Sequence, residues 1–163
     1  MTSPEAPSFL GVLEAKAPCF SEADAEGAVR EVFHLEAEAR TLYGERDQKF
    51  HVRAADGREF VLKVANPAED PAVVDFQTRA LLHIAAVDAG LPVPQVVPAA
   101  NGEPYRWVVG PDGRRSLVRL LTFLPGRLLE RTPPMPELLW DIGATAARLA
   151  RALRGFFHPA ARH

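Results

Sequence analysis

Two short turns built on Asp-Gly pairs, Ala55-Asp56-Gly57-Arg58 and Gly110-Pro111-Asp112-Gly113, stand on either side of a long helical stretch. That order constrains the fold more than any other feature of the chain. Asp-Gly accepts the positive φ of tight hairpins, and the flanking residues fall in short apolar runs of strand length. The first turn joins strands at 49–54 and 59–65, with a further strand at 36–42 completing a meander. The second joins strands at 104–109 and 115–121. Between them, Asp70-Pro71 supplies an N-cap acceptor followed by a proline at the first helical position. Val73, Val74, Phe76, Ala80, Leu81, Ile84 and Val87 then form an apolar stripe that Gly90 stops. Leu91-Pro92-Val93-Pro94 is held extended by its prolines. An earlier helix starts at Ser21, with Asp24 three residues on, and ends near Leu35. A last one covers 137–154 after Pro133, Pro134 and Pro136, with Leu138, Leu139, Ile142, Ala146, Leu149, Ala150 and Leu153 inward. The expected class is α+β: a five-stranded antiparallel sheet with one covering helix.

At 163 residues and 47% apolar, the chain can bury one ordinary core. No apolar run reaches the roughly 18 residues of a membrane-spanning helix, so no membrane partner is expected. Glu5, Glu14 and Lys16 break up any leader-like start, and a cytoplasmic setting is expected. The single Cys19 excludes a disulfide framework and a cysteine-based zinc site. The five histidines lack the i,i+4 spacing of a ligating helix. Ser116 and Thr122 have no His–acid partners nearby for hydrolase chemistry. The net charge of −2 is unevenly spread: residues 1–100 carry −7 and residues 101–163 carry +5. A basic second half attracts anions such as a phosphate ester. Aromatic interleaving of the kind single-strand binders use is weak, so no nucleic-acid partner is expected. Arg148, Arg151 and Arg154 read as the solvated side of the last helix.

Lys63 interrupts the face that Val61 and Ala65 share in an apolar strand. An ammonium there needs an anion or a route to water, so it either snorkels at a sheet edge or holds a phosphate as a compact charge. The preceding loop, Tyr43-Gly44-Glu45-Arg46-Asp47-Gln48-Lys49-Phe50, is long and polar, with one glycine and no P-loop pattern.

Taken in order, these parts resemble an aminoglycoside phosphotransferase-like kinase. The resemblance rests on the polar loop, Phe50-His51-Val52, Phe60-Val61-Leu62-Lys63-Val64, the capped helix, Leu91-Pro92-Val93-Pro94 and Leu117 to Gly126, and it covers roughly residues 20–158. Glu45-Arg46-Asp47-Gln48 with Val61 to Asn66 is most similar to the hydroxylysine kinase-like branch. It also resembles the kinase-like domain found ahead of class III, pyridoxal-phosphate-dependent aminotransferases. The resemblance implies a tail at 1–20, a kinase-like N-lobe at 21–121, a hinge and linker at 122–136, and the first helix of a C-lobe at 137–163. It implies ATP or GTP with Mg²⁺ as cofactors and a small hydroxylated amine, hydroxylysine- or aminoglycoside-like, as acceptor. Lys63 would hold the α- and β-phosphates, under a loop contributing Gly44, Arg46, Asp47 and Gln48. Leu121, Thr122 and Phe123, with Leu124, would meet the purine edge, and Val61 and Leu120 would wall the base. Gln77 falls where relatives commonly carry the glutamate that pairs with the lysine, with Asp75 as a possible substitute, and Lys49 adds a cation.

The family's catalytic aspartate and magnesium-holding carboxylate have no counterpart here, because Asp141 is the last acidic residue. The resemblance therefore implies a nucleotide-binding lobe that cannot run phosphoryl transfer alone. The alternative is a non-catalytic sensing or docking module of a larger aminotransferase. The apolar stripe at 137–154 is expected to self-associate or to pack back on the sheet.

Overall fold

The computed structural model describes residues 15–161; most of the expected tail, 1–14, and residues 162–163 lie outside the described residues. The elements are α1 (Glu22–Phe33), β1 (Ala37–Leu42), β2 (Gln48–Ala54), β3 (Glu59–Val64), α2 (Pro71–Val87), β4 (Val96–Val97), β5 (Arg106–Val109), β6 (Arg115–Thr122) and α3 (Pro136–Ala152). Two single turns of 3-10 helix, Leu129–Arg131 and Pro159–Ala161, complete the set among the described residues.

Local chemistry accounts for the boundaries. Ser21 and Asp24 form a reciprocal capping box: the Ser21 amide donates to Asp24 Oδ2 at 2.8 Å and the Asp24 amide donates to Ser21 Oγ at 3.1 Å. Asp70 Oδ1 accepts the Ala72 amide at 2.9 Å and caps α2 ahead of Pro71. Gly57 and Gly113 take φ of 86° and 78° in the two hairpin turns, where a side chain would be strained.

The antiparallel sheet runs β1-β2-β3-β6-β4, and β5 shares the β4 edge of β6. It therefore has six strands, not five. The extra strand, Val96–Val97, pairs with Leu120 and Leu121. Two residues between prolines carry no alternation to read, and only the pairing defines them as a strand.

The helices differ from expectation too. The main core lies under α1: Ala25, Val29 and Phe33 pack on Phe50, Val52, Phe60, Leu62, Val64, Val118 and Leu120. The opposite face carries α2 at one end, through Val74 against Ala65 and Leu117. β6 lies between the two and is buried on both faces from Ser116 to Leu121. Because α2 serves two partners, its stripe is split, and Val87 is exposed. The second half of α3 packs on α2 rather than on the sheet, with Ala152, Leu149 and Leu153 against Ile84 and Leu91. Arg148 fixes this contact with a bidentate pair to Asp88, Nη2 donating to Oδ1 at 2.8 Å and Nε to Oδ2 at 3.1 Å, so it is not simply a solvated arginine. Leu139 and Trp140, in the first half of α3, remain exposed.

Candidate nucleotide site

Alternation along β3 sends Phe60, Leu62 and Val64 into the core and Glu59, Val61 and Lys63 to the opposite face. Antiparallel register then puts Lys49 of β2 and Arg119 of β6 directly beside Lys63. Three cations thus form one row across three adjacent strands. Like charges side by side in a sheet are destabilising, so such a row calls for an anion. The next row is His51, Val61 and Leu121, and it is largely apolar.

The β1–β2 loop folds over the cation row. Asp47 Oδ2 lies 3.7 Å from Lys63 Nζ, and its Oδ1 accepts the Asn66 amide at 3.1 Å. Asn66 is buried and braces the strand exit; its Oδ1 accepts the Ala68 amide at 3.0 Å. Arg46 donates to Glu69 at 3.0 Å, tying the loop to the segment before α2. Gly44 closes the loop so tightly that a Cβ there would come within 3.0 Å of the Asp47 carbonyl oxygen. The result is a cleft of about 350 Å³, where Gly44, Arg46, Asp47, Lys63 and Gln77 meet. Tyr43, Glu45, Lys49 and Glu69 complete its lining. Burial pushes the Lys63 ammonium below the usual lysine range, and Arg119 and Lys49 add to the effect against the opposing pull of Asp47.

Gln77 lines this cleft, but its Oε1 accepts a hydrogen bond from Arg119, not from Lys63. Asp75 does not substitute. It accepts from Tyr105 Oη at 2.9 Å and lies 3.0 Å from His158 Nε2 and 3.3 Å from Arg79 Nε. Lys63 instead has Asp47 as its carboxylate partner. Gln48 is turned away from the cleft and grips the Phe20 backbone, accepting from its N–H at 2.7 Å and donating to its carbonyl at 3.0 Å.

Leu121 sits next to Val61 on the cleft face, whereas Leu120 is fully buried in the core, so Leu121 and not Leu120 can wall a ligand beside Val61. The Thr122 amide donates to Gln95 O at 2.9 Å and the Phe123 amide to Glu59 O at 3.1 Å, which commits both within the fold. Leu124, exposed, is the next backbone position along the chain. The Phe123 ring meets the His51 ring edge-on at 4.7 Å between centroids.

Arg119 escapes the sequence reading because Leu117-Val118-Arg119-Leu120-Leu121 reads as a plain buried strand. The signal was nonetheless present, since a lone cation in an apolar strand is the criterion that singled out Lys63. Burial lowers the Arg119 guanidinium's proton affinity, opposed by the charges of Asp47 and Glu69.

Residues 39–163 match the model of the phosphotransferase enzyme family (APH). The chain belongs to that family. This phosphotransferase-family chain is 36% identical over 156 residues to hydroxylysine kinase of Bos taurus, with 87% of this chain and 41% of that protein covered. It is 35% identical over 150 residues to hydroxylysine kinase of Danio rerio, at the same coverage. It thus spans about two fifths of the length of these relatives. Among solved structures it is similar to an amicoumacin kinase in complex with AMP-PNP, Ca²⁺ and amicoumacin (TM-score 0.72, 15% identity, 86% of this chain and 42% of that one). A microcompartment-associated aminopropanol kinase gives a TM-score of 0.64 at 18% identity, covering 88% of this chain and 44% of that one. These likenesses bear out the kinase-like α+β fold. Among the described residues, no group of three or more His, Cys, Asp or Glu side chains is placed to hold a metal ion. No described helix is long and apolar enough to cross a membrane.

Proposed function

We propose that the cleft binds the phosphates of ATP or GTP, and that the full-length protein transfers phosphate to a small hydroxylated amine of the hydroxylysine type. The observation that carries this reading is the Lys49–Lys63–Arg119 row, roofed by a polar loop and opposed at contact distance by Asp47. A polyphosphate supplies the missing negative charge, and Lys63 orients it as a point charge. Val61 and Leu121 offer an apolar wall for a base, and backbone groups past Phe123 offer its edge hydrogen bonds. The 21–121 lobe, the 122–136 hinge and the helix that follows would then form the nucleotide-binding side of the enzyme. On this reading the catalytic base and the carboxylates for Mg²⁺ would lie in the part of the full-length protein that matches the rest of the relatives' length. Mg²⁺, when bound, would offset charge on the β- and γ-oxygens.

The test is transfer from ATP or GTP to hydroxylysine and related amino alcohols by the full-length protein, with Lys63→Ala as the control. Transfer that falls roughly 10²-fold in the variant supports the reading, in line with the loss of one preorganised charge-stabilising group. Equal activity in the two proteins would sink it. Nucleotide binding with no transfer to any such acceptor would favour a sensing module over an enzyme.

A further inference from the structure

Arg119 is 5% exposed, yet no carboxylate among the described residues lies within ion-pair distance of it. Its donors meet neutral acceptors only: Thr78 Oγ1 at 3.2 Å, the Val74 carbonyl at 3.5 Å, and Gln77 Oε1. All three belong to α2. The nearby carboxylates are taken, Asp47 by Lys63 and Glu69 by Arg46. A buried guanidinium held by neutral groups keeps its positive charge, which water screens little. That charge stands beside Lys63 in register, buried under α2 next to the cleft that Lys63 and Gln77 line.

We propose that Arg119 is a positioning residue of the phosphate cleft: it anchors Gln77 and α2 to the sheet while leaving its charge uncancelled for a ligand bearing two or more phosphates. The inference rests on the phosphate reading above and adds to it the reason for a neutral residue at position 77. A glutamate there would pair with Arg119, and the row would lose one of its three charges to an internal partner. The same substitution has the opposite effect if position 77 serves Lys63, because it would then supply the lysine with an orienting carboxylate.

The sign of one substitution therefore decides. Gln77 is exposed, so Gln77→Glu should fold, and its thermal melt checks this directly. Binding of inorganic tripolyphosphate to the full-length protein is measured by titration calorimetry at several salt concentrations, alongside Lys63→Ala. The expected result is at least fivefold weaker binding by Gln77→Glu, with a shallower dependence on salt, a change that loosened packing alone would not produce. Affinity equal to or tighter than that of the unaltered protein, while Lys63→Ala still weakens binding, overturns the role of Arg119 and leaves the phosphate cleft standing. If Lys63→Ala binds tripolyphosphate as the unaltered protein does, the cleft reading falls and takes this inference with it.

Discussion

Gly44→Ala probes the loop without removing or adding any charged group. The added Cβ would lie under 3.0 Å from the Asp47 carbonyl oxygen and 3.7 Å from Lys49 Cε. The Lys49 methylenes can move aside, but the Asp47 backbone cannot move alone. Asp47 holds the Asn66 amide at 3.1 Å and faces Lys63 at 3.7 Å, and Arg46 next to it is tied to Glu69 at 3.0 Å. Relief therefore means lifting the loop by roughly half an ångström or more, at the 1–3 kcal/mol usual for an overpacked site. The Asp47–Lys63 contact is already near the limit of an ion pair and would be lost. Much of that strain should appear as weaker polyphosphate binding, since about 1.4 kcal/mol is tenfold in affinity. Calorimetric titration with ATP and a thermal melt are measured on the same preparation of full-length protein. The expectation is ATP affinity about tenfold lower with a small drop in melting temperature. Unchanged ATP affinity would refute the argument that the closed loop shapes the phosphate site.

Other perturbations have definite signs. Because burial, Arg119 and Lys49 hold Lys63 below the usual lysine range, ATP binding should begin to weaken at a lower alkaline pH than an ordinary lysine would allow. An alkaline limb that stays flat up to the usual lysine range would contradict this. The same depression means that the unfolded chain binds the proton more readily, so stability rises with pH between the folded and unfolded values for this group. Burial pushes the Asp75 carboxyl up, but hydrogen bonds with His158 and Tyr105, aided by Arg79, outweigh it and leave it below the ordinary carboxylate value. Its contribution is present above that ordinary value and is lost as pH falls below about 4, through the folded value. Asp75→Asn should therefore flatten the acid limb of a stability–pH profile, cost about 1–2 kcal/mol at neutral pH, and speed amide exchange at 156–161. Leu62→Ala, at a fully buried core position, should cost about 2–5 kcal/mol by chemical denaturation. A loss under 1 kcal/mol would mean that α1 is not the main cover of the sheet.

The elements with strong local chemistry could be read directly from the sequence. Ser21 and Asp24, Asp70-Pro71 and the two Asp-Gly turns each satisfy or strain the backbone in one way only, and each marks an observed boundary. Alternation singled out Lys63 in β3 as the interruption of the face that Val61 and Ala65 share, but with apolar residues on both faces only the packed structure shows that this face lies opposite the main core. It could also have placed Gln48, which shares a face with Phe50 and Val52 and so points toward Phe20 rather than the phosphates. Pairing could not be read. Whether Leu120 or Leu121 stands beside Val61 depends on register between strands more than 50 residues apart, and β4 exists only as a partner of β6. The partner of Gln77 was hidden for the same reason, because Arg119 reaches it from a strand over 40 positions away. The choice between Asp47 and an α2 carboxylate for Lys63 likewise rests on how the loop folds over the sheet.

The central claim is that nucleotide phosphates lie against Lys63, and the chain's three lysines allow a direct test. An acyl-phosphate derivative of ATP acylates whichever lysine amine lies beside the phosphates, and Lys16, Lys49 and Lys63 can be scored separately by peptide mass spectrometry. The account predicts that Lys63 is labelled first, with Lys49 second, and that ATP suppresses both while exposed Lys16 reacts slowly and without protection. Labelling confined to Lys16, or labelling of Lys63 that excess ATP does not reduce, would contradict it.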